Sequence, residues 1–428
     1  MSIVPERRET VIERIRTQVL PEEGKIPFFI FSDPEVYELE QERIFSGCWL
    51  FVAHESEIPN PGDYVTRSMG RTKVIVVRGE DGRIRVFLNA CRHRGMRLCR
   101  AELGNTSHFR CPYHGFTYKN TGELIGIPYQ KQVYGERIDK SELSLIQARC
   151  ESYRGLVFAT WNKEAENLEE YLGDAKWYLD LVCARDEMEV VGHPQIWRVK
   201  TSWKIPSENF QSDAYHTLFS HASIAKVGLA PTMDFAYSGY QIDLGKGHGL
   251  GLGMPSDKPI FYESLFDEYA KHLNPEQVEV LRKMKNMHGT IFPNFSFLIS
   301  AAFYKGRLLS HTTIRLWQPV AHDAIDVISF QLMEKHGSEE WKTLTHELYV
   351  LTFGPGGIFE QDDAENWTNI FETAQTVGAQ DFALNYTMAM DKEPVDFVGP
   401  GKAYPGKYSE ENARSFYRRW KELIVGEV

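Results

Sequence analysis

CRHRGMRLCR (residues 91–100) and CPYHGFTY (residues 111–118) decide what the N-terminal part of this chain folds around. Within them, Cys91, His93, Cys111 and His114 form the pattern Cys-x-His-x17-Cys-x2-His. Each short loop offers one thiolate and one imidazole, so the pair can clasp a small iron–sulfur cluster from both ends. With His replacing Cys on one iron, the cluster carries less negative charge and its potential rises well above that of an all-Cys ferredoxin cluster. Two Cys and two His also suit tetrahedral zinc. Zinc spacings usually put the two Cys together and the two His together, whereas here each loop carries one of each. The pattern reads as a mixed-ligand [2Fe–2S] centre.

The other cysteines do not disturb that reading. Cys99 lacks a His two residues after it and is expected to pack in the same loop region, while Cys48, Cys150 and Cys183 have no metal-like spacing. A lone Cys is ordinarily a small buried hydrophobe. Rieske proteins that only carry electrons have an additional Cys in each loop, forming a bridge; at the matching places stand Met96 and Tyr113. The pure carrier reading loses ground.

A chain of 428 residues exceeds what one core usually serves, so two domains are expected. A net charge of −11 argues against nucleic acid, and no basic run suggests an anionic membrane surface. No stretch approaches the ~20 apolar residues of a membrane span. The first residues, MSIVPERRETVIERIRTQVL, have no apolar signal-peptide core. With free thiols, this gives a cytoplasmic expectation.

Val11, Ile15 and Val19 recur at helical spacing, giving an amphipathic helix that closes at Pro21. Asp33-Pro34 supplies an N-cap and first-turn proline for a second helix to about Ile44. TKVIVVRG and RIRVFLNA, joined by Glu80-Asp81-Gly82, read as a β-hairpin, and YRGLVFATW as a strand. The cluster loops thus sit in a small all-β module over residues 45–165, with N-terminal helices at 1–44 packing on a second domain, 166–428. There a helix over 167–183 and the strand IWRVKTSWK are followed by β-runs SHTTIRLWQPV and DAIDVISFQLM. Helices are expected at 339–351, 360–374 and 409–424. The last is either an interface or a solvated amphipathic helix. The run GKGHGLGLG (245–253) has Gly at every second position, which suits a strand near a ligand better than a phosphate cradle.

The second constellation is ENFQSDAYHTLFSH, with Glu208, Asn209, Asp213, His216 and His221. A regular helix places residues five apart about 140° around the axis. His216 and His221 can therefore face one metal only if the helix is broken or widened, as in a π-bulge. A third ligand is available in TFGPGGIFEQDDAENW, from Glu360, Asp362 or Asp363; spacing leaves all three open, and acidic residues in a first turn also simply complement the helix dipole. Two His and one carboxylate form a facial triad that leaves three cis positions on ferrous iron for O2 and substrate. Phe210, Phe353 and Phe359 adjoin these residues as pocket walls or as ordinary core aromatics, whereas His248, His288 and His311 are expected to be structural or surface groups.

With both metal motifs in this order, residues 28–391 resemble the large (α) subunit of the aromatic ring-hydroxylating Rieske non-haem iron oxygenases. The resemblance implies an α+β protein. Its parts are an all-β Rieske domain and a helix-grip catalytic domain with a central antiparallel sheet. It makes Cys91, His93, Cys111 and His114 the cluster ligands, and His216, His221 and Asp363 the ligands of a mononuclear Fe(II). It places Asn209 near the iron without being a strong ligand. Asp213 becomes a bridging carboxylate, facing His114 of the next subunit in a head-to-tail homotrimer. A small β subunit often completes an α3β3 assembly. Electrons come from NAD(P)H through a separate reductase, usually with a ferredoxin. The implied reaction inserts both atoms of O2 into an aromatic ring to give a cis-dihydrodiol. A monohydroxylase of an aromatic acid such as salicylate would use the same metal sites. From another class comes a Rieske electron carrier, which would hold roughly two iron per two labile sulfide against roughly three for the oxygenase.

Overall fold

The computed structural model describes residues 3–230 and 237–426, and these fall into two compact units. One consists of residues 45–168; the other combines the N-terminal residues to Ile44 with everything from Glu169 onward.

In the smaller unit, a seven-stranded antiparallel sheet runs in the order Leu50–His54, Leu156–Thr160, Gln147–Tyr153, Ile84–Leu88, Thr72–Arg78, Asp63–Met69, Leu103–Asn105. The hairpin between Thr72–Arg78 and Ile84–Leu88 forms as the sequence predicts, with Gly82 at φ 79° in its turn. A three-stranded sheet, His108–Arg110, Thr117–Lys119 and Leu124–Gly126, carries the second cluster loop as its first hairpin connection. Ile75, Val77, Phe87, Phe109 and Tyr118 share one core with Cys91, Cys99 and Cys111. The loops are thereby anchored on a packed floor.

The larger unit is built on a nine-stranded antiparallel sheet whose long central members are Asn286–Ile291, Phe295–Tyr304, Arg307–Ala321 and Ala324–Glu334. The helix Lys204–Ser212 lies against strands His248–Gly253, Asn286–Ile291 and Phe295–Tyr304. Glu339–Phe353 packs on Arg307–Ala321 and leads into helix Ile358–Ala374. Asp33 caps helix Pro34–Arg43 by accepting from the Glu35 N–H at 2.7 Å.

Three local expectations are corrected. The segment 167–183 is two helices, Leu168–Leu172 and Ala175–Cys183, broken at Gly173, whose φ of +49° ends the first. IWRVKTSWK is strand only to Val199; Trp203 already caps the next helix. The C-terminal helix Glu411–Val425 is no solvated surface helix: Phe416, Tyr417 and Trp420 are wholly buried against helix Lys204–Ser212 and strands Tyr240–Gly245 and His248–Gly253. Among the alternating glycines, Gly249 leaves room for Asn412 of this helix, which a Cβ would meet at 2.9 Å. Gly249, Gly251 and Gly253 pair with Thr290, His288 and Asn286. A Cβ on Gly251 would sit 2.4 Å from His288 Nε2, and one on Gly253 2.4 Å from Asn286 Oδ1. The glycines clear a trough into which these two polar side chains lie.

Candidate active site

The two cluster loops have the same backbone design. Cys91 N–H donates to Met96 O and Gly95 N–H to Cys91 O; Cys111 N–H donates to Phe116 O and Gly115 N–H to Cys111 O, all at 2.8–3.0 Å. Gly95 and Gly115 sit at φ +71° and +73°, which only glycine adopts without cost. Cys91 and Cys111 are buried, and the rings of His93 and His114 stand 4.5 Å apart. The His93 ring stacks on Phe116, its Nε2 lies 3.4 Å from the Tyr134 hydroxyl, and its Nδ1 is buried with no protein partner. A buried imidazole nitrogen left without a partner, in a loop with a buried cysteine, suits an iron–sulfur cluster. Tyr118 adds a contact that the sequence did not reveal. Its hydroxyl accepts from Arg92 N–H at 3.0 Å and lies 3.4 Å from Cys91 Sγ, where it can donate to a thiolate. Hydrogen bonds to cluster sulfurs tune the potential. Asn89 braces the same loop, accepting from the Leu98 and Cys99 N–H groups and donating to Cys99 O. Cys99 packs in this core, as expected.

In the larger unit, helix Lys204–Ser212 stops at Asp213, whose Oδ1 accepts from His216 N–H at 3.1 Å. This Asx-type turn starts a new single turn, Thr217–Ser220, with His216 at its N-cap and His221 at its C-cap. The helix is broken rather than bulged, and the break turns both rings to one side. His216 Nε2 and His221 Nε2 lie 3.1 Å apart, and Asp363 Oδ1 lies 3.3 and 3.2 Å from them. Three cis ligands with bonds of ~2.1 Å stand about 3.0 Å apart on one octahedral face. The observed triangle has that size.

The outer nitrogens settle the ring orientation. His216 Nδ1 faces Asp213 Oδ2 and the Asn209 amide, each at 3.3 Å, and His221 Nδ1 faces Asp362 Oδ2 at 3.1 Å. Carboxylates on both Nδ1 atoms favour the tautomer that leaves both Nε2 lone pairs free for a metal. Asp362 and Asp363, indistinguishable by spacing, thus hold different places. Burial pushes Asp363 up, but the two imidazoles outweigh it and hold the carboxyl well below its usual range. Burial likewise pushes His216 down, and Asp213 and Asp363 raise it instead. A field that favours positive charge here also favours a cation.

Glu360 does stand in the first turn of helix Ile358–Ala374, where the dipole favours it, but it has a partner as well. It is buried and ion-paired to buried Arg315, one turn before Asp363.

Over the triad opens a cleft with about 760 Å³ of empty space, part of it open to solvent. Phe210, Phe353 and Phe359 all line it, with Leu298, Ile224 and Leu229. Phe353 and Phe359 stack at 5.0 Å, and Phe359 meets the His221 ring edge-on at 4.8 Å. His288, Asn286 and Lys407 also line it and had no sequence signal beyond the facing glycines. His248 and His311 are buried structural groups, not surface ones.

Comparison with known proteins supplies the family. Residues 48–145 match the Rieske [2Fe-2S] domain, and residues 168–426 match the ring hydroxylating alpha subunit catalytic domain. The chain belongs to the ring-hydroxylating oxygenase alpha subunits. Benzene 1,2-dioxygenase subunit alpha of Pseudomonas putida is 36% identical over 425 residues, covering 94% of this chain and 91% of that one. N,N-dimethyl phenylurea N-demethylase subunit alpha of a Sphingobium species is 33% identical over 429 residues, covering 95% and 93%. The crystal structure of naphthalene 1,2-dioxygenase from Rhodococcus sp. bound to indole superposes with a TM-score of 0.92 at 42% identity, covering 100% and 99%. As a member of this family, the alpha subunit is a terminal oxygenase of the Rieske non-haem iron type, with a [2Fe–2S] cluster, a mononuclear iron and O2 as co-substrate. Among its described residues no helix is long and apolar enough to cross a membrane.

Proposed function

We propose that this alpha subunit adds both atoms of O2 to adjacent carbons of an uncharged aromatic ring, giving a cis-dihydrodiol. The observation that carries the reading is the triangle of His216 Nε2, His221 Nε2 and Asp363 Oδ1, opening into a cavity walled by Phe210, Phe353 and Phe359. These three residues hold the mononuclear iron, and Cys91, His93, Cys111 and His114 hold the cluster. Iron supplies the binding and reduction of O2 when bound. The chain's own residues do the rest. The aromatic walls position a flat ring beside the open face and exclude water from it. Asp213, Asn209 and Asp362 hold the imidazoles in orientation. The dihydrodiol chemistry and the aromatic substrate class accord with the benzene, biphenyl and naphthalene dioxygenases among the relatives.

The site's electrons come from NAD(P)H through a separate reductase or ferredoxin. In a homotrimer, with or without a small β subunit in an α3β3 assembly, His114 of one subunit would meet Asp213 of the next. Both side chains are open in the single chain: His114 is exposed and the Asp213 carboxylate is 37% exposed. A cytoplasmic location fits the buried free cysteines.

A monohydroxylase of an aromatic acid would want a basic group in the cavity. Lys407 is the one Lys or Arg among the described lining residues, and burial with the like charge of Lys285 disfavours its charged form. The remaining walls are largely apolar, which favours an uncharged ring. Metal analysis tests the whole reading. The purified chain should hold about three iron per two labile sulfide, and Asp363→Ala about two, with the cluster's absorption unchanged. Two iron in both proteins would leave only the electron carrier.

A further inference from the structure

Asn209, Asp213, His216 and Lys407 line both the cavity over the triad and a second, wider one with about 1330 Å³ of empty space, part of it open to solvent. The first three form the hydrogen-bonded group around His216 Nδ1. Lys407 does not belong to it. The Lys407 side chain is buried, and its Nζ donates to Asn286 Oδ1 at 2.8 Å. Among the described residues no carboxylate forms an ion pair with it, and the charge it feels is the like charge of Lys285. A buried ammonium without a counter-ion is costly to hold, so such lysines give up their proton readily. Burial, helped by Lys285, pushes Lys407 down to about 7.

The reaction proposed above needs such a group. Adding O2 across one ring double bond breaks the O–O bond, removes one π bond and forms two C–O and two O–H bonds. The balance requires two electrons and two protons. The cluster passes electrons; the protons must enter a cavity whose walls are mostly apolar.

We propose that Lys407 is the proton donor, giving its ammonium proton to oxygen reduced in the inner cavity and regaining it from solvent in the outer one. The inference rests on the dioxygenase reading. Glu208 and Glu410 line the outer cavity with Lys407. Burial pushes Glu208 up to about 8, while Tyr386 and Tyr417 donate to its Oε2 at 2.8 and 3.1 Å. The other titratable groups around Lys407 are Lys285 and His288 on the strand side and Asp213 and His216 beyond the helix end.

The test compares Lys407→Met and Lys407→Arg with the parent holoenzyme on an uncharged aromatic substrate across pH ~6–9. The parent kcat should fall on the alkaline side as Lys407 loses its proton. Both variants should lose that limb and about 10²-fold in kcat, with KM and metal content unchanged. Arginine keeps the charge and can bond Asn286 but is no acid at these pH values. A second readout needs no turnover: competitive acetylation across pH, followed by peptide mass spectrometry. Lys407 should titrate near 7 rather than the usual ~10.4. Parent-like kcat and pH profile in Lys407→Arg would overturn the proposal. So would a rise in KM confined to aromatic acids, which would make Lys407 an anion-binding group, or acetylation at the usual lysine pH. Absence of any dioxygenated product from the parent would instead strike the dioxygenase reading.

Discussion

Arg315→Met should strongly destabilise the catalytic unit. Arg315 and Glu360 are both fully buried and joined by an ion pair. The guanidinium also donates to Phe353 O at 2.9 Å, and its carbon lies 5.2–5.7 Å from the ring centres of Phe210, Phe353, Trp197 and Trp317. Methionine keeps much of the apolar volume but strands a buried carboxylate. Breaking one side of such a pair costs about 3–5 kcal/mol. At ~2–4 °C per kcal/mol for a unit of this size, Tm should fall by about 6–20 °C. The deficit should depend on pH. Burial pushes Glu360 up to about 7 with Arg315 opposing it. A carboxyl with a raised folded pKa binds its proton more tightly folded than unfolded, so its contribution to stability falls as pH rises from the ordinary carboxylate range to the folded value. Without Arg315 the folded value climbs further, so the loss continues in the variant after it has ended in the parent. The gap should therefore widen as pH rises through about 7. Arg315→Met/Glu360→Leu buries no charge and should recover at least half the loss. Calorimetry of the parent, single and double variants at several pH values decides it. A single variant within ~1 kcal/mol of the parent, or a double variant no better than the single, would refute the reasoning.

Other outcomes follow from the same geometry. Asp213→Ala removes the acceptor on His216 Nδ1, so iron affinity should drop by about 10–100-fold with the cluster untouched; with iron restored to saturation, electron delivery should still be slow, seen in stopped-flow as a reduced cluster that fails to reoxidise with O2 and substrate, and parent-like activity would remove Asp213 from the path. Asp362→Asn weakens the acceptor on His221 Nδ1, and iron affinity should drop by about 10–100-fold in a chelator competition, while the cluster is untouched. Gly251→Val would drive a side chain into the His288 ring, which a Cβ already meets at 2.4 Å; stability should fall by about 1–3 kcal/mol or more, with turnover falling alongside it.

The parts of the site legible in the sequence are those set by short-range chemistry. Cys91-x-His93 and Cys111-x2-His114 each lie in one loop, so their order along the chain already shows their arrangement in space. The pair His216 and His221 was legible with a condition, a break in the helix, and Asp213 supplies that break by capping the next turn. Spacing could not tell Asp362 from Asp363 because they are adjacent; the family resemblance chose Asp363, and the rotation of helix Ile358–Ala374 puts Asp363 Oδ1 beside both Nε2 atoms and Asp362 beside His221 Nδ1. Glu360 looked like a dipole-complementing acid because its partner Arg315 lies 45 residues away on a strand. Lys407 was invisible for the same reason. Nothing near it in sequence says that its side chain turns inward to Asn286. The C-terminal helix carried a strong apolar face, but what covers that face is a sheet assembled from strands over 150 residues earlier.

Product analysis under labelled O2 tests the central claim most directly. The purified alpha subunit, with any small subunit it needs, would be supplied with a reductase and ferredoxin and offered both aromatic hydrocarbons and aromatic acids. The account predicts a non-aromatic diol carrying two labelled oxygens from an uncharged ring. A phenol with one labelled oxygen, formed from an aromatic acid, or no incorporation from any substrate would contradict it.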